Sequence, residues 1–398
     1  MDTQNTPIHI RLWNRDFWLL AVANLLVSMA IYMQVILIPT LADTTGLVSL
    51  GSVSAMMGGY GVGLYLLGCF CSYFVQRHRR HHVCIGSILL MAMCLVLPYY
   101  LHQWIESRFL VGTLLLTRLV TGALFGLIQM ILSSTLVVDC SESSQRTEAN
   151  YAEAWFGRFA IALGPLSALL TLRLADREWA VWISAGLAVA SALLIMMVRF
   201  PFRAPDDNVR LFSTDRFILP SGWLLFLNLL IVTTVLGICL PYAGHSQMCY
   251  ACLMLGFLLA LLAEKFIFVN AELKSETVAG LILMGAAVLV FGQRQSATAY
   301  NFAFTMLGLG SGLIGSRFLL FFIKLSLHCQ RGTSQSTFFL AWESGVALGL
   351  TIYFASANRN KMLHLIDTLP QQTLFLVVLA LLLYLLCTHQ WYLKHKNR

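Results

Sequence analysis

Long apolar runs dominate the sequence, and short polar breaks separate them. Twelve runs follow one another between residues 17 and 390, each near the roughly 20 residues that a helix needs to cross a hydrocarbon core about 30 Å thick. The pattern therefore predicts an all-α membrane protein with twelve transmembrane helices. The predicted spans are 17–41, 48–75, 83–101, 110–138, 149–173, 179–198, 217–241, 247–268, 277–292, 298–327, 335–356 and 370–390.

Composition supports a lipid environment. Hydrophobic residues make up 58% of the chain and charged residues 11%, against about half and about a quarter in soluble proteins. The first apolar run is too long for a signal peptide and lacks a small-residue cleavage site, so we expect it to be retained. The ten cysteines show no metal-ligand spacing, which favours small core hydrophobes over a metal site. We expect no cofactor.

The basic residues are spread along the chain, although the net charge is +8. They form no single arm or face of the kind that binds nucleic acid. With a cytoplasmic N-terminus, sixteen Lys and Arg residues fall in inside segments and six in outside segments. The positive-inside rule then predicts a multi-pass protein of the cytoplasmic (inner) membrane with both termini in the cytoplasm.

Two repeated sequence patterns suggest that the chain contains an internal duplication. Predicted spans 1 and 7 both carry Trp-Leu-Leu, an Asn and a late Pro, and the segments Arg146–Gly164 and Arg331–Gly349 both end in Ala-Leu-Gly. Duplicated halves are common among transporters. We expect an N-terminal six-helix bundle (1–198), a polar cytoplasmic linker (199–216) and a C-terminal six-helix bundle (217–398), related by pseudo-symmetry.

The loop after span 2 and the start of span 4 resemble the major facilitator superfamily. The family's loop has the form Gly-xxx-Asp-Arg-x-Gly-Arg-Arg, and here Arg77 and Arg80 match its arginines while Gln76 replaces its acid. The family's Arg-xxx-Gly of span 4 is present as Arg118 and Gly122. The resemblance implies two six-helix bundles that rock around a central cavity and move a small-molecule substrate.

Further matches follow Gly122 along the chain. Gly126 continues the small-residue pattern, and Asp139 and Arg146 lie at the predicted cytoplasmic end of span 4. With Gln76, Arg77 and Arg80, the resemblance implies that they form a cytoplasmic gate. Gly164 and Pro165 match a span 5 pattern typical of many exporters, and this resemblance favours efflux. Together with Gly122 and Gly126, these two residues are also candidates for close helix packing. Uptake stays open as the alternative.

Few ionisable residues lie at predicted membrane depth, where each costs about 3 kcal/mol on insertion scales. They are Glu343, Arg158, Arg118 and Arg317, with Glu153, Glu264 and Lys324 nearer the predicted cytoplasmic span ends. Glu343 is the leading candidate proton carrier. Glu153 is the second, although a carboxylate at the start of a helix also stabilises the helix dipole. For Arg118 the resemblance implies a coupling role, and a packing role is the alternative.

Aligning the repeated segments of spans 5 and 11 places Arg158 and Glu343 at equivalent positions. Arg158 lies 12 residues after Arg146, and Glu343 lies 12 residues after Arg331. We therefore predict that they face one cavity from opposite halves and pair there until Glu343 gains a proton. A static buried ion pair remains the alternative. Together with Arg118 and Arg317, Arg158 would make the cavity cationic, which favours an anionic or amphiphilic compound.

Three amides at mid-depth, Asn24, Gln34 and Asn228, are candidates for substrate contacts or for hydrogen bonds between helices. The sequence lacks the GxxxxGK[ST] loop of a nucleotide-driven pump and the HExxH motif of an intramembrane metalloprotease. We therefore predict a non-enzymatic secondary active transporter, proton-coupled and monomeric. A transport-inactive sensor or scaffold of the same fold remains the alternative.

Overall fold

A computed structural model describes residues 12–45, 48–104, 107–141, 145–200, 206, 208–268, 272–293, 296–327, 330–363 and 368–396. Twelve of its helices are long and apolar enough to cross a membrane, which confirms the predicted number. They are α1 (Arg15–Ala42), α2 (Leu50–Arg77), α3 (Arg80–Leu101), α4 (Phe109–Asp139), α5 (Arg146–Leu174), α6 (Arg177–Met196), α7 (Pro220–Ala243), α8 (Gln247–Phe266), α9 (Leu273–Gly292), α10 (Ala297–Leu325), α11 (Arg331–Met362) and α12 (Leu369–His395). Of the predicted linker, residues 201–205 and 207 lie outside the described chain.

The helices pack in two bundles with the same internal order. In the N-half (α1–α6), α1 contacts α5 and α6, α2 contacts α4, and α3 contacts α4 and α6. In the C-half (α7–α12), α7 contacts α11 and α12, α8 contacts α10, and α9 contacts α10 and α12. Adding six to each helix number converts one set of contacts into the other, as expected for duplicated halves.

Glycines allow the closest helix approaches inside the N-half. A Cβ atom on Gly122 of α4 would lie 3.0 Å from the carbonyl carbon of Tyr60 and 3.1 Å from Cα of Gly63, both in α2. One on Gly126 would lie 3.1 Å from Cα of Leu64. No larger residue fits at either position unless the helices separate. Small residues let backbones approach in this way within a membrane.

A second close approach joins α1 and α5 at Gly164. A Cβ atom there would lie 2.6 Å from Cβ of Tyr32 and 3.0 Å from the carbonyl oxygen of Met29. Pro165, the next residue, is buried inside α5 without ending the helix. The Gly-Pro pattern thus lies where α5 meets α1 in this structure.

Two seams join the halves, one between α2 and α11 and one between α5 and α8. Along the first, the Tyr65 hydroxyl donates to Ser344 Oγ over 3.0 Å, and Ser54 Oγ donates to the carbonyl oxygen of Thr351 over 2.9 Å. Along the second, the Gln247 side chain donates to the carbonyl oxygen of Leu169 over 3.3 Å. The halves therefore meet on both sides of the axis between them.

Candidate functional site

A small cavity lies between the halves, bounded by α1, α4, α5 and α11. Its volume of about 40 Å³ holds a few water molecules but no ligand of ordinary size, which needs a few hundred Å³. In this conformation the cavity is therefore closed to such a ligand. Eight polar or charged residues line the cavity: Asn24, Ser28, Gln129, Ser133, Glu153, Arg158, Gln335 and Glu343.

Glu153 lies on α5 and is 1% exposed. Its carboxyl group accepts hydrogen bonds from Asn24 Nδ2 at 2.5 Å, Ser133 Oγ at 3.0 Å and Gln335 Nε2 at 3.1 Å. Helix α5 begins at Arg146, so Glu153 lies about two turns inside the helix and does not cap its N-terminus. Because Gln335 belongs to α11, this carboxyl group joins the two halves.

A network of amides fixes the orientation of Asn24. Gln129 Nε2 donates to Asn24 Oδ1 at 2.7 Å and to Ser28 Oγ at 3.0 Å. With its oxygen occupied in this way, Asn24 presents its amide N–H to Glu153. The network is built from α1 and α4, so it lies within the N-half.

Glu343 lies on α11 and is 6% exposed. The Tyr32 hydroxyl donates to its Oε1 at 2.7 Å and the Tyr60 hydroxyl to its Oε2 at 3.2 Å. Both tyrosines belong to the N-half. Glu343 is therefore a C-half carboxyl group with N-half donors, whereas Glu153 is an N-half carboxyl group with a C-half donor. The buried guanidinium of Arg118 lies 5.1 Å from the centre of the Tyr60 ring. Arg118 thus lies beside a tyrosine that donates to Glu343.

Arg158 of α5 lies among aromatic rings and is 2% exposed. Its guanidinium carbon is 4.6 Å from the centre of the Trp155 ring and 5.7 Å from the rings of Phe338 and Trp342. Nη1 donates to Ser316 Oγ of α10 at 2.7 Å. Within the part of the chain that the structure describes, Nε and Nη2 have no hydrogen-bond partner. Two buried guanidinium nitrogens are therefore available to donate to an anion.

The structure places Arg158 and Glu343 on the same cavity, as the repeat register predicts. It does not join them, since no hydrogen bond or ion pair links the two side chains among the described contacts. The predicted pair is absent from this conformation because Glu343 is bound by α1 and α2, whereas Arg158 is held by α10 and the aromatic rings.

Three other predicted cavity residues lie elsewhere. Arg317 forms an ion pair with Glu276 of α9 and does not line the cavity. Asn228 donates to the carbonyl oxygen of Ala380 at 3.2 Å, on α12. Gln34 donates to Ser184 Oγ at 3.0 Å, on α6. Each of the three bonds within its own half and none of them lines this cavity.

Three of the predicted gate residues meet at the side of the bundle where α1 begins, which we call the proximal side. Arg80 forms an ion pair with Asp139 and so ties α3 to α4. Both residues line a cavity of about 260 Å³, together with Arg146. Arg331 and Thr333 of α11 line the same cavity, so it spans the two halves.

The other two predicted gate residues make local contacts. The Gln76 side chain donates to Ser72 Oγ at 3.1 Å within α2, and its carbonyl oxygen accepts from the backbone of Asp206 at 3.1 Å. Arg77 lies 5.9 Å from the centre of the Tyr73 ring. The backbone of Gln76, and not its side chain, therefore contacts the segment between the halves.

Comparison with known proteins agrees with this architecture. The model of the Major Facilitator Superfamily matches residues 20–350. No curated protein sequence matches the chain. Among solved structures, a point mutant of the nucleoside transporter NupG is similar, with 12% identity, a TM-score of 0.67 and coverage of 93% of this chain and 99% of that one.

Two further structures share the fold. The human organic anion transporter MFSD10 (TETRAN) is 14% identical, with a TM-score of 0.66 and coverage of 93% and 98%. The POT family transporter PepTSo is 14% identical, with a TM-score of 0.65 and coverage of 96% and 98%. At such low identity these likenesses show the fold alone. The family model, however, covers more than half of the sequence, and the chain belongs to the major facilitator superfamily of membrane transporters.

Proposed function

We propose that this protein is a proton-coupled secondary active transporter that moves a small anionic or amphiphilic compound across the cytoplasmic membrane by alternating access. One observation carries the proposal. Two buried carboxyl groups line the cavity between the halves, and each accepts hydrogen bonds from the opposite half: Glu153 from Gln335, and Glu343 from Tyr32 and Tyr60. The basic residues of the proximal side support a cytoplasmic location for both termini.

Protonation of these carboxyl groups would weaken the contacts that hold the cavity closed. Hydrogen bonds to an ionised carboxylate are about twice as strong as those between neutral groups. A proton removes the charge and turns one acceptor oxygen into a donor, which faces the N–H and O–H donors already present. The closed conformation therefore loses free energy relative to an open one, and the equilibrium shifts toward opening.

Arg158 supports an anionic substrate. With Glu153 and Glu343 ionised, these three residues carry a net charge of −1, since two carboxylates outweigh one guanidinium. With both carboxyl groups protonated, the net charge is +1. Opposite charges attract strongly in a site shielded from water, so an anion binds best to the protonated site.

This charge balance favours movement of proton and anion in the same direction. Under an inward proton gradient such symport is uptake, whereas the Gly164–Pro165 pattern favours export. The charge of the cavity residues is the more direct evidence on coupling, because these residues would bind both the proton and the anion, whereas Gly164 and Pro165 would bind neither. We therefore place uptake by symport ahead of export by exchange, and the direction of proton movement distinguishes the two.

The experiment starts with a thermal-shift screen of monocarboxylates, dicarboxylates and amphiphilic anions, because a ligand that binds the native state raises the melting temperature. Compounds that stabilise the protein are then added outside proteoliposomes loaded with a pH-sensitive dye. We expect luminal acidification with the wild type, no stabilisation of Arg158→Gln, and binding without proton movement in Glu343→Gln.

Three outcomes contradict parts of this proposal. Luminal alkalinisation on addition of compound indicates exchange and supports the exporter. Binding without flux in the wild type supports a sensor. Full proton-coupled flux in Glu343→Gln shows that this carboxyl group does not carry the proton.

A further inference from the structure

A second group of buried charges lies inside the C-half, away from the central cavity. Glu264 of α8, Glu276 of α9 and Arg317 of α10 meet there. Arg317 Nε forms an ion pair with Glu276 Oε2, and the carboxyl groups of Glu264 and Glu276 lie within hydrogen-bonding reach of each other. None of the three lines the cavity that contains Glu153 and Glu343.

The two carboxyl groups share a single neighbouring cation, and one oxygen of each accepts no hydrogen bond from a described residue. Glu276 is 0% exposed. Its Oε1 and the Oε1 of Glu264 are both buried, and neither accepts a hydrogen bond from any described residue. Two adjacent carboxylates in a low-dielectric site repel each other and cannot both remain ionised at small cost. A single proton between them supplies a donor and leaves one negative charge, which Arg317 balances.

We propose that Glu264 and Glu276 form a second proton-binding site, separate from the central cavity, in which the two carboxyl groups share one proton beside Arg317. The proton is held as the hydrogen of a carboxyl-to-carboxylate hydrogen bond. Its release leaves two carboxylates facing one guanidinium.

The groups around the pair do not supply a further positive charge in contact with it. From α5, the Tyr151 hydroxyl donates to Glu264 Oε2, and Glu148 lines the cavity that reaches Glu264. From α12, Tyr384 lies near Glu276 and Arg317, with its hydroxyl 3.4 Å from His389 Nδ1. Lys265, next to Glu264 on α8, is exposed. Arg317 is thus the only cation that contacts either carboxyl group among the described residues.

A lateral cavity reaches Glu264. It has a volume of about 460 Å³, opens between α1, α5 and α8, and is lined by Trp13, Trp18, Tyr151, Glu264 and Lys265. Glu264 is partly exposed, whereas Glu276 is fully buried. Glu264 is therefore the member of the pair that lies nearer the surface of the protein.

The site is connected to the seam between the halves through two neighbours. Tyr151 belongs to the N-half, so its hydrogen bond to Glu264 crosses the α5–α8 seam. Ser316 is a neighbour of Glu264; its hydroxyl donates to the carbonyl oxygen of Gly312 at 3.1 Å and accepts a hydrogen bond from Arg158 at 2.7 Å. Loss of the shared proton would change the charge beside both contacts without involving Glu343.

Infrared spectroscopy tests the proposal without a transported compound. The C=O stretching band of a protonated carboxyl group is recorded at neutral pH on purified protein in nanodiscs. The background is the double variant Glu153→Gln with Glu343→Gln, which removes the central carboxyl groups. We expect a protonated carboxyl band that either Glu264→Gln or Glu276→Gln removes. The matched control, Glu272→Gln, changes an exposed residue at the start of α9 and should leave the band unchanged.

A further variant covers the case in which a glutamine variant unfolds. Tyr151→Phe keeps both carboxyl groups and removes one donor to Glu264, so it should shift the band without abolishing it. The proposal is overturned if the background shows no protonated carboxyl band, or if folded Glu264→Gln and Glu276→Gln both retain it. Because the central carboxyl groups are already absent, neither result bears on their role in transport.

Discussion

The hydroxyl of Tyr32 donates a hydrogen bond of 2.7 Å to Oε1 of Glu343, and the two residues belong to opposite halves of the transporter. Tyr60 donates to the other oxygen of the same carboxyl group at 3.2 Å. A movement that separates α1 and α2 from α11 must break both bonds. The proton affinity of Glu343 and the closure of the cavity therefore depend on each other.

Removal of the Tyr32 hydroxyl should destabilise the closed conformation in a pH-dependent way. Tyr32→Phe keeps the ring and loses a hydrogen bond to a charged group, typically worth about 1.5–3 kcal/mol. The loss is full where Glu343 is ionised and shrinks as acid protonates it, so the drop in melting temperature should be larger at alkaline pH.

Tyr65→Phe is the matched control for this prediction. It also removes a bond from the N-half to α11, but its partner, Ser344, does not titrate in this range. Its destabilisation should be independent of pH. If both variants show the same pH profile, Glu343 is not the group that links pH to closure.

A reciprocal exchange tests the second carboxyl group. Glu153→Gln places an amide among the amide donors of Asn24 and Gln335, and leaving a buried donor unsatisfied costs about 1–3 kcal/mol. The exchange Glu153→Gln with Gln335→Glu rebuilds a carboxyl-amide contact between α5 and α11. Thermal melting of both single variants and of the exchange gives their coupling energy. We expect the exchange to recover part of the loss, and simple additivity of the two single effects would contradict a direct contact.

Gly122→Ala should destabilise the N-half. Its Cβ would lie 3.0 Å from the carbonyl carbon of Tyr60, and such overpacking typically costs about 1–3 kcal/mol. Gly112→Ala, in the same helix, meets nothing within 4 Å and should be neutral or slightly stabilising. Thermal melting distinguishes the two, and equal melting temperatures would show that α2 and α4 are not closely packed there.

Arg158→Lys and Arg158→Gln should separate charge from shape in anion recognition. Lysine keeps the positive charge but cannot stack its planar group on Trp155 or present two parallel N–H donors. We expect Arg158→Lys to retain part of the stabilisation by an anionic ligand and Arg158→Gln to retain none. For each variant, the thermal shift produced by the anion is compared with the shift produced by its neutral amide analogue, which lacks the charge. An undiminished, wild-type shift of both variants by the anion would exclude Arg158 from binding.

The twelve helices could be predicted because lipid demands long apolar runs, and the repeat register correctly placed Arg158 and Glu343 on one cavity. The partners of these side chains could not be predicted, because helix rotation decides which neighbour each one meets. Asn24 and Asn228 occupy equivalent positions in the repeat. Only Asn24 lines the cavity, since Asn228 is turned toward α12.

Other residues of the site gave no clear signal in the sequence. Tyr32 and Tyr60 lie in apolar runs, where a tyrosine resembles an ordinary core residue until its hydroxyl partner is known. Glu276 was missed for a different reason. The predicted ninth span begins at residue 277, whereas α9 begins at Leu273, so a buried carboxyl group seemed to lie in a loop. Gln335 is equivalent to Asn150 in the repeat, but the repeat alone did not indicate a contact between them. In the structure, Gln335 Nε2 donates to the backbone carbonyl oxygen of Asn150 at 3.4 Å.

The central claim is that protonation of Glu153 and Glu343 releases the contact between the halves. Pulsed electron paramagnetic resonance measures it directly, through the distance between spin labels on Ser49 and Arg359. These exposed residues lie near the facing ends of α2 and α11, in a background without the ten native cysteines. With acidification, the wild type should shift from shorter to longer distances, and Glu153→Gln with Glu343→Gln should give the same distribution at every pH. A double variant that responds to pH as the wild type does would contradict the claim.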